Sequence, residues 1–142
     1  MSGLETEAEL SIQEKTIYVD SRIFSSSLEF RSRFSIAHEI GHYILHKDFY
    51  TNHMIFESID EYINFYRTID DRQYRFLERH ANEFAGAFLV PKDRFWEELK
   101  KRLETPFESD ADIQNQLIFV CEELKDVFNV SAQVLMRRIV NE

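Results

Sequence analysis

The sequence holds a single cysteine, Cys121, so no disulfide can close within the chain. Its place in the apolar run Ile118-Phe119-Val120-Cys121 marks it as a small buried side chain rather than a nucleophile. Glycine and proline are scarce, 3 and 2 residues in 142, which argues against a disordered or repeat-built chain and for a helix-rich body. No stretch approaches the roughly 18 consecutive apolar residues of a membrane span. Met1–Leu10 is acidic and lacks the basic start and apolar run of a secretory leader. A soluble, cytoplasmic chain with no membrane partner is the expectation. Cations are also short: 17 Lys and Arg face 26 Asp and Glu. The resulting net charge of −9 repels a phosphate backbone, so no direct contact with nucleic acid is expected.

What the chain does have is apolar mass. Hydrophobic residues make up 44% of it, with 13 Phe and 6 Tyr, enough for one core, and 142 residues is the size of one domain. Within Ser11–Asp20, the β-branched and aromatic run Thr16-Ile17-Tyr18-Val19 follows the polar Gln13-Glu14-Lys15, which predicts two short strands joined by a turn. Ser26 with Glu29 three positions later fits a capping box opening a helix to about His46. Residues 47–69 mix aromatics and acids at no clean period and read as an inserted loop or short helices near the site. Asp70 and Asp71 cap a second strong helix that reaches Val90 and stops at Pro91. A third helix spans Asp93 to about Leu103. A fourth starts within Glu108–Asp112 and reaches Phe128, where Asn129 can end it, and Ser131 caps the last, Ala132–Val140. The expected class is α+β and mostly helical, one domain with N-terminal strands in 1–24, site helices and insert in 25–103, and a C-terminal helical segment in 104–142.

The chemistry is concentrated in His38-Glu39-Ile40-Gly41-His42. On a helix, residues four apart lie about 6 Å apart along the axis and roughly 40° apart around it, so His38 and His42 can offer imidazole nitrogens to one ion. Glu39, roughly 100° round from His38, can face a water on that ion rather than the ion itself. Phe30, Phe34, Ala37, Gly41 and Ile44 form an apolar stripe with both histidines on its shoulder.

A catalytic zinc takes three protein ligands and keeps a position for water. The second helix offers the third ligand. Its stripe of Leu77, Ala81, Phe84, Ala85 and Phe88 faces inward. Glu78 lies on the shoulder, roughly 70° from the stripe's centre, and Glu83 lies about 150° away beside Arg79 and His80. Glu78 is thus the expected ligand and Glu83 a solvated group. His46 shares the histidine face but sits about 12 Å of helix axis beyond His38, too far to share the ion. It reads as a charge or structural hydrogen-bonder at the helix C-terminus. Asn82, one turn after Glu78, can accept a hydrogen bond from a ligating imidazole and fix its tautomer, or else satisfy nearby backbone. One Zn2+ on His38, His42 and Glu78 with Glu39 as general base predicts peptide hydrolysis. Tyr62, Tyr66 and His80 are candidate oxyanion donors by chemistry, and nothing in the sequence selects among them.

The string from Arg33 to His46, followed by Glu78-Arg79-His80-Ala81-Asn82-Glu83-Phe84-Ala85 and Phe88-Leu89-Val90-Pro91, resembles the ImmA/IrrE family of zinc metallopeptidases. Phe128-Asn129-Val130-Ser131 with Arg138-Ile139 resembles the family's third block, so the likeness runs from about Thr16 to the C-terminus. The resemblance implies a zincin-like fold and a gluzincin-like site, with His38, His42 and Glu78 on zinc and Glu39 as base. It also implies a protein substrate, a helix-turn-helix repressor whose cleavage relieves transcriptional repression in mobile elements or stress responses. The chain departs from the family pattern in the 35 residues between His42 and Glu78, which is long, and in the few residues before the strands, where an N-terminal helix is expected to be missing.

Two rival readings remain. In one, the chain binds zinc but does not hydrolyse, and it sequesters a regulator. Glu39 weighs against this, since a purely structural zinc site closes its fourth position and has no use for a base. In the other, the helices flanking Asn129-Val130-Ser131 form a DNA-binding helix-turn-helix. The last helix carries only Arg137 and Arg138 as cations, behind Glu122, Glu123 and Asp126, which weighs against that reading.

Overall fold

The computed structural model describes residues 7–24, 29–53 and 58–141, without the side chains at 23, 24, 52, 53, 62 and 66. The capping box expected at Ser26 lies outside the described residues. The fold is α+β. It opens with an antiparallel pair, β1 (Ala8–Ser11) and β2 (Thr16–Val19), in register from Ala8 opposite Val19 to Ser11 opposite Thr16. Lys15 makes the turn at φ 52°. β1 starts ahead of the expected window because Ala8-Glu9-Leu10-Ser11 has no β-branched residue to announce it. Its strand state comes from pairing with β2 and packing on the long helix that follows.

After the single turn α1 (Ser21–Phe24), that helix is α2 (Glu29–His53). It runs two turns past His46, the expected end. No Gly or Pro follows His46 to stop it, and the Tyr50 ring packs on those of His42 and His46 at centroid distances of 5.7 and 6.4 Å. The expected insert is therefore the end of α2 and a short helix, α3 (Ile59–Thr68), whose cap Ser58 accepts from the Glu61 backbone N–H at 3.2 Å. α4 (Asp71–Leu89) begins as expected at Asp70, whose carboxylate accepts from the Arg72 N–H at 3.0 Å. α5 (Lys92–Arg102), α6 (Asp110–Phe128) and α7 (Ala132–Val140) complete the chain. Asn129 ends α6 in the left-handed region at φ 50°, and Ser131 caps α7 by accepting from Val134 N–H.

Two packing zones result. In the first, α2 and α4 run antiparallel, since four residues forward on α2 (His38 to His42) match four residues back on α4 (Asn82 to Glu78). Ala37 and Gly41 of α2 and Leu77, Ala81 and Ala85 of α4, the helices packed on each other, are all buried. A Cβ at Gly41 would stand 3.0 Å from Phe84 Cδ1 and 3.2 Å from its Cβ and Cγ. The ends of the two stripes are not covered: Ile44 is 60% and Phe88 58% exposed, because crossing helices touch only over their central turns. The second zone is a core of Val90, Phe95, Leu99, Val120, Cys121, Leu124, Phe128, Val130 and Leu135, built by α5, α6 and α7. Cys121 is buried there as a small hydrophobe, and burial pushes its thiol up to about 11. The Arg33 guanidinium joins the zones by donating to the carbonyls of Phe128 and Asn129 at 3.4 and 3.3 Å. Among the described residues no helix is long and apolar enough to cross a membrane.

Gly41→Val should test the helix contact. The Phe84 Cβ is fixed to the α4 backbone and cannot swing away, so the two helices must part. Urea denaturation should show a loss of about 2 kcal/mol, within the ~1–3 kcal/mol of overpacked cores. Unchanged stability would mean that the approach is not tight.

Candidate metal centre

The α2–α4 contact brings three of the expected residues to one point. His38, His42 and Glu78 each offer an atom within 4.8 Å of the other two. The Nε2 atoms of His38 and His42 are 2.9 Å apart, and Glu78 places Oε2 3.3 Å from His38 Nε2 and Oε1 3.1 Å from His42 Nε2. Ligand atoms about 2.0–2.1 Å from one tetrahedral ion lie roughly 3.3 Å from each other, so these spacings fit a zinc-sized cation. Glu83 is not part of the cluster; it is exposed and lies 3.7 Å from Arg79.

The hydrogen bonds behind the imidazoles support the same fit. His38 Nδ1 is 2.9 Å from Asn82 Oδ1, an amide oxygen that only accepts, so Nδ1 carries the hydrogen and Nε2 is left bare. His42 Nδ1 is 3.1 Å from the Tyr50 hydroxyl and 3.1 Å from His46 Nδ1, both able to accept its hydrogen. With both imidazoles neutral in that tautomer, two bare nitrogens and a carboxylate converge, and only a cation or added protons can hold them together. With protons alone, the same conflict appears in the titration. Desolvation works against the Glu78 carboxylate, but hydrogen bonds from His38 and His42 overcome it and bring Glu78 down to about 2. Burial opposes protonation of His38, yet the Glu78 carboxylate outweighs it and His38 titrates above the usual imidazole value.

Glu39 lines a cavity of about 220 Å³ that Ala8, Ser35, His38 and Asn82 also line. Its carboxylate accepts a hydrogen bond from the Leu10 backbone N–H of β1. Burial raises its pKa, against the pull of His42 and His38, with Glu78 adding to the rise. The start of β1 is tied to α2 beside it: Ser35 Oγ donates to Glu7 Oε2 at 3.0 Å, and Arg31 pairs with the other Glu7 oxygen.

His46 is not a helix-terminal group, because α2 continues past it. It is buried, its ring stacks on His80 at 5.9 Å, and burial lowers its pKa to about 4. His80 packs against His46 and Phe76. The side chains of Tyr62 and Tyr66 lie outside the described residues. Two site neighbours escaped the sequence reading. Tyr50 follows His42 and His46 at four-residue steps, a signal that emerges only if α2 is carried past His46. Tyr74, one turn before Glu78, has its pKa raised by burial and then by the charges of Glu78 and Glu39, so its phenol belongs to this electrostatic neighbourhood.

Removing the Asn82 amide should free the His38 tautomer. Calorimetric titration with zinc should show Asn82→Ala binding about 10–100-fold more weakly, the usual effect of losing a group that orients a ligand. Glu78→Gln should lose more, and Glu83→Gln should match the unaltered chain. Equal effects at 78 and 83 would refute the facing assigned to α4.

Residues 10–140 match the family described as the IrrE N-terminal-like domain, Peptidase_M78. No curated protein and no solved structure matches the chain. The matched stretch takes in the end of β1, both helices of the His-His-Glu cluster and all of α7. The chain belongs to the IrrE N-terminal-like family of metallopeptidase-like domains.

Proposed function

We propose that the protein is a zinc-dependent endopeptidase, with His38, His42 and Glu78 as the metal ligands, Glu39 as general base and Asn82 as the group that orients His38. The observation that carries this reading is the convergence of three ligand atoms, with a base-capable carboxylate, Glu39, lining the cavity beside His38. Zinc held there supplies a Lewis acid for the scissile carbonyl and acidifies water. Glu39 takes a proton from the attacking water and returns it to the leaving amine. Asn82 keeps the His38 hydrogen on Nδ1, away from the ligand position.

The substrate in this reading is a helix-turn-helix repressor, and cutting it relieves repression. The resemblance of the Arg33–His46, Glu78–Ala85 and Phe128–Ser131 blocks to the ImmA/IrrE peptidases, together with the family match, supports that choice. The acidic chain with net charge −9 fits a protein partner better than DNA.

The purified chain should carry about one zinc, by atomic emission, as expected for a single three-ligand centre. It should also cut a helix-turn-helix regulator encoded beside it, as read by intact-mass spectrometry. Glu39→Gln should keep the zinc and slow cleavage by about 100-fold or more, the range of general-base losses. Undiminished cleavage by Glu39→Gln would remove the base from this scheme, and binding of the regulator without any cutting would make the chain a sequestering module.

A further inference from the structure

A larger cavity, about 640 Å³, opens between α4 and α7 next to the metal cluster. It shares Phe34 and Asn82 with the smaller cavity that holds His38 and Glu39, so a chain lying across Glu39 continues directly into it. Its charge is opposite to that of the molecule. Four arginines line it (Arg75, Arg79, Arg137 and Arg138) against two carboxylates, Glu78 and Glu83, in a chain of net charge −9. Both carboxylates are engaged, Glu78 by the two histidines and Glu83 by Arg79. Arg75 donates its Nε to the neutral carbonyl of Asp71 at 3.2 Å, a bond that leaves its charge uncancelled. Among the described residues no carboxylate pairs with Arg137, which is exposed. Ala87, Gly86 and Val134 add an apolar wall.

We infer that this cavity is a specificity subsite that receives an acidic side chain, Asp or Glu, of the peptide being cut. The inference rests on the peptidase reading for its position and on the arginines for its chemistry. The apolar wall takes the methylene stem while the guanidiniums donate to the carboxylate, the planar pairing to which arginine is best suited. A nucleic-acid occupant fits less well, because the acidic surface surrounding so small a basic patch repels a long phosphate backbone. Arg75 and Arg79 reach in from α4 and Arg137 and Arg138 from α7. Selection of an acidic residue therefore depends on the packing of α7 against the helix that carries Glu78.

Fluorescence anisotropy on the zinc-loaded Glu39→Gln chain separates this inference from the catalytic one. The probes are two fluorescein-labelled peptides that differ only in a central Glu-Glu or Gln-Gln pair. The acidic peptide should bind about 5–30-fold more tightly, as two or three partly exposed ion pairs allow, and the difference should shrink at high salt. Arg75→Gln with Arg137→Gln should bring the ratio below about twofold, and Arg137→Lys should keep part of it. Equal binding of the two peptides, or a ratio untouched by the double substitution, overturns the subsite whether or not the chain cuts anything. Displacement of the acidic peptide by inorganic phosphate at concentrations where acetate does nothing overturns the carboxylate assignment. Failure of the unaltered chain to cut any peptide in a mixed library, with the binding preference intact, counts against the peptidase reading alone.

Discussion

Everything at the site depends on how closely α2 approaches α4 at Gly41. Imidazole and carboxylate side chains are short, and two helices packed at the ordinary 8–10 Å must be near the lower limit if ligands from both are to meet. Gly41 makes that possible by leaving nothing between its backbone and the Phe84 ring, where a Cβ would stand 3.0 Å from the nearest ring carbon. Ala37, Ala81 and Ala85 continue the same narrow seam. A glycine inside a helix costs about 1 kcal/mol relative to alanine. Here that loss is offset by an approach that sets Nε2 of two histidines 2.9 Å apart and a carboxylate 3.1–3.3 Å from them.

The rest of the fold holds this seam in place. Arg33, little more than one turn before His38, bonds two carbonyls at the α6–α7 corner, so the orientation of α2 is referred to the C-terminal core. Val90, just past the end of α4, is itself a member of that core. The ligand helices are thus anchored from one end each, and the sheet anchors α2 from the side through Glu7 and Leu10. The second packing zone contributes no residue to the His-His-Glu cluster. Its contribution is rigidity, which a site needs if donor atoms are to stay within a few tenths of an ångström of a shared point.

Much of this was legible in the sequence because it rests on local rules. Caps at Asp70 and Ser131, the left-handed stop at Asn129 and the two stripes all follow from residue type and helical period, and Glu78, not Glu83, lies with the two histidines. What escaped depends on contacts between distant residues. β1 has no propensity of its own and is a strand because β2 and α2 make it one. The last two turns of α2 look irregular until Tyr50 is seen packing on His42, and with that extension His46 changes from a terminal charge to a buried ring. Tyr74 and the arginine-lined cavity could not be found from one helix at a time, since each is defined by what faces it across the fold.

The two carboxylates near the cluster show how one environment can serve opposite needs. Both are partly buried, and burial alone would raise both. Glu78 points at two imidazoles and is driven down to about 2, so it stays anionic at any physiological pH. Glu39 is raised by burial, with Glu78 adding as a like charge, and the opposing pull of His42, His38 and the Leu10 N–H does not cancel that rise, so it ends above its ordinary value. The separation follows from helix geometry: Glu39 sits about 100° from His38, off the face that meets Glu78. In the proposed scheme a ligand should not compete with a base for the same proton, and pushing two titratable groups apart in this way would keep those roles distinct within one site. The placement of Glu39 next to His38 rather than four residues away thus does chemical work, since on the ligand face it would have become a second Glu78.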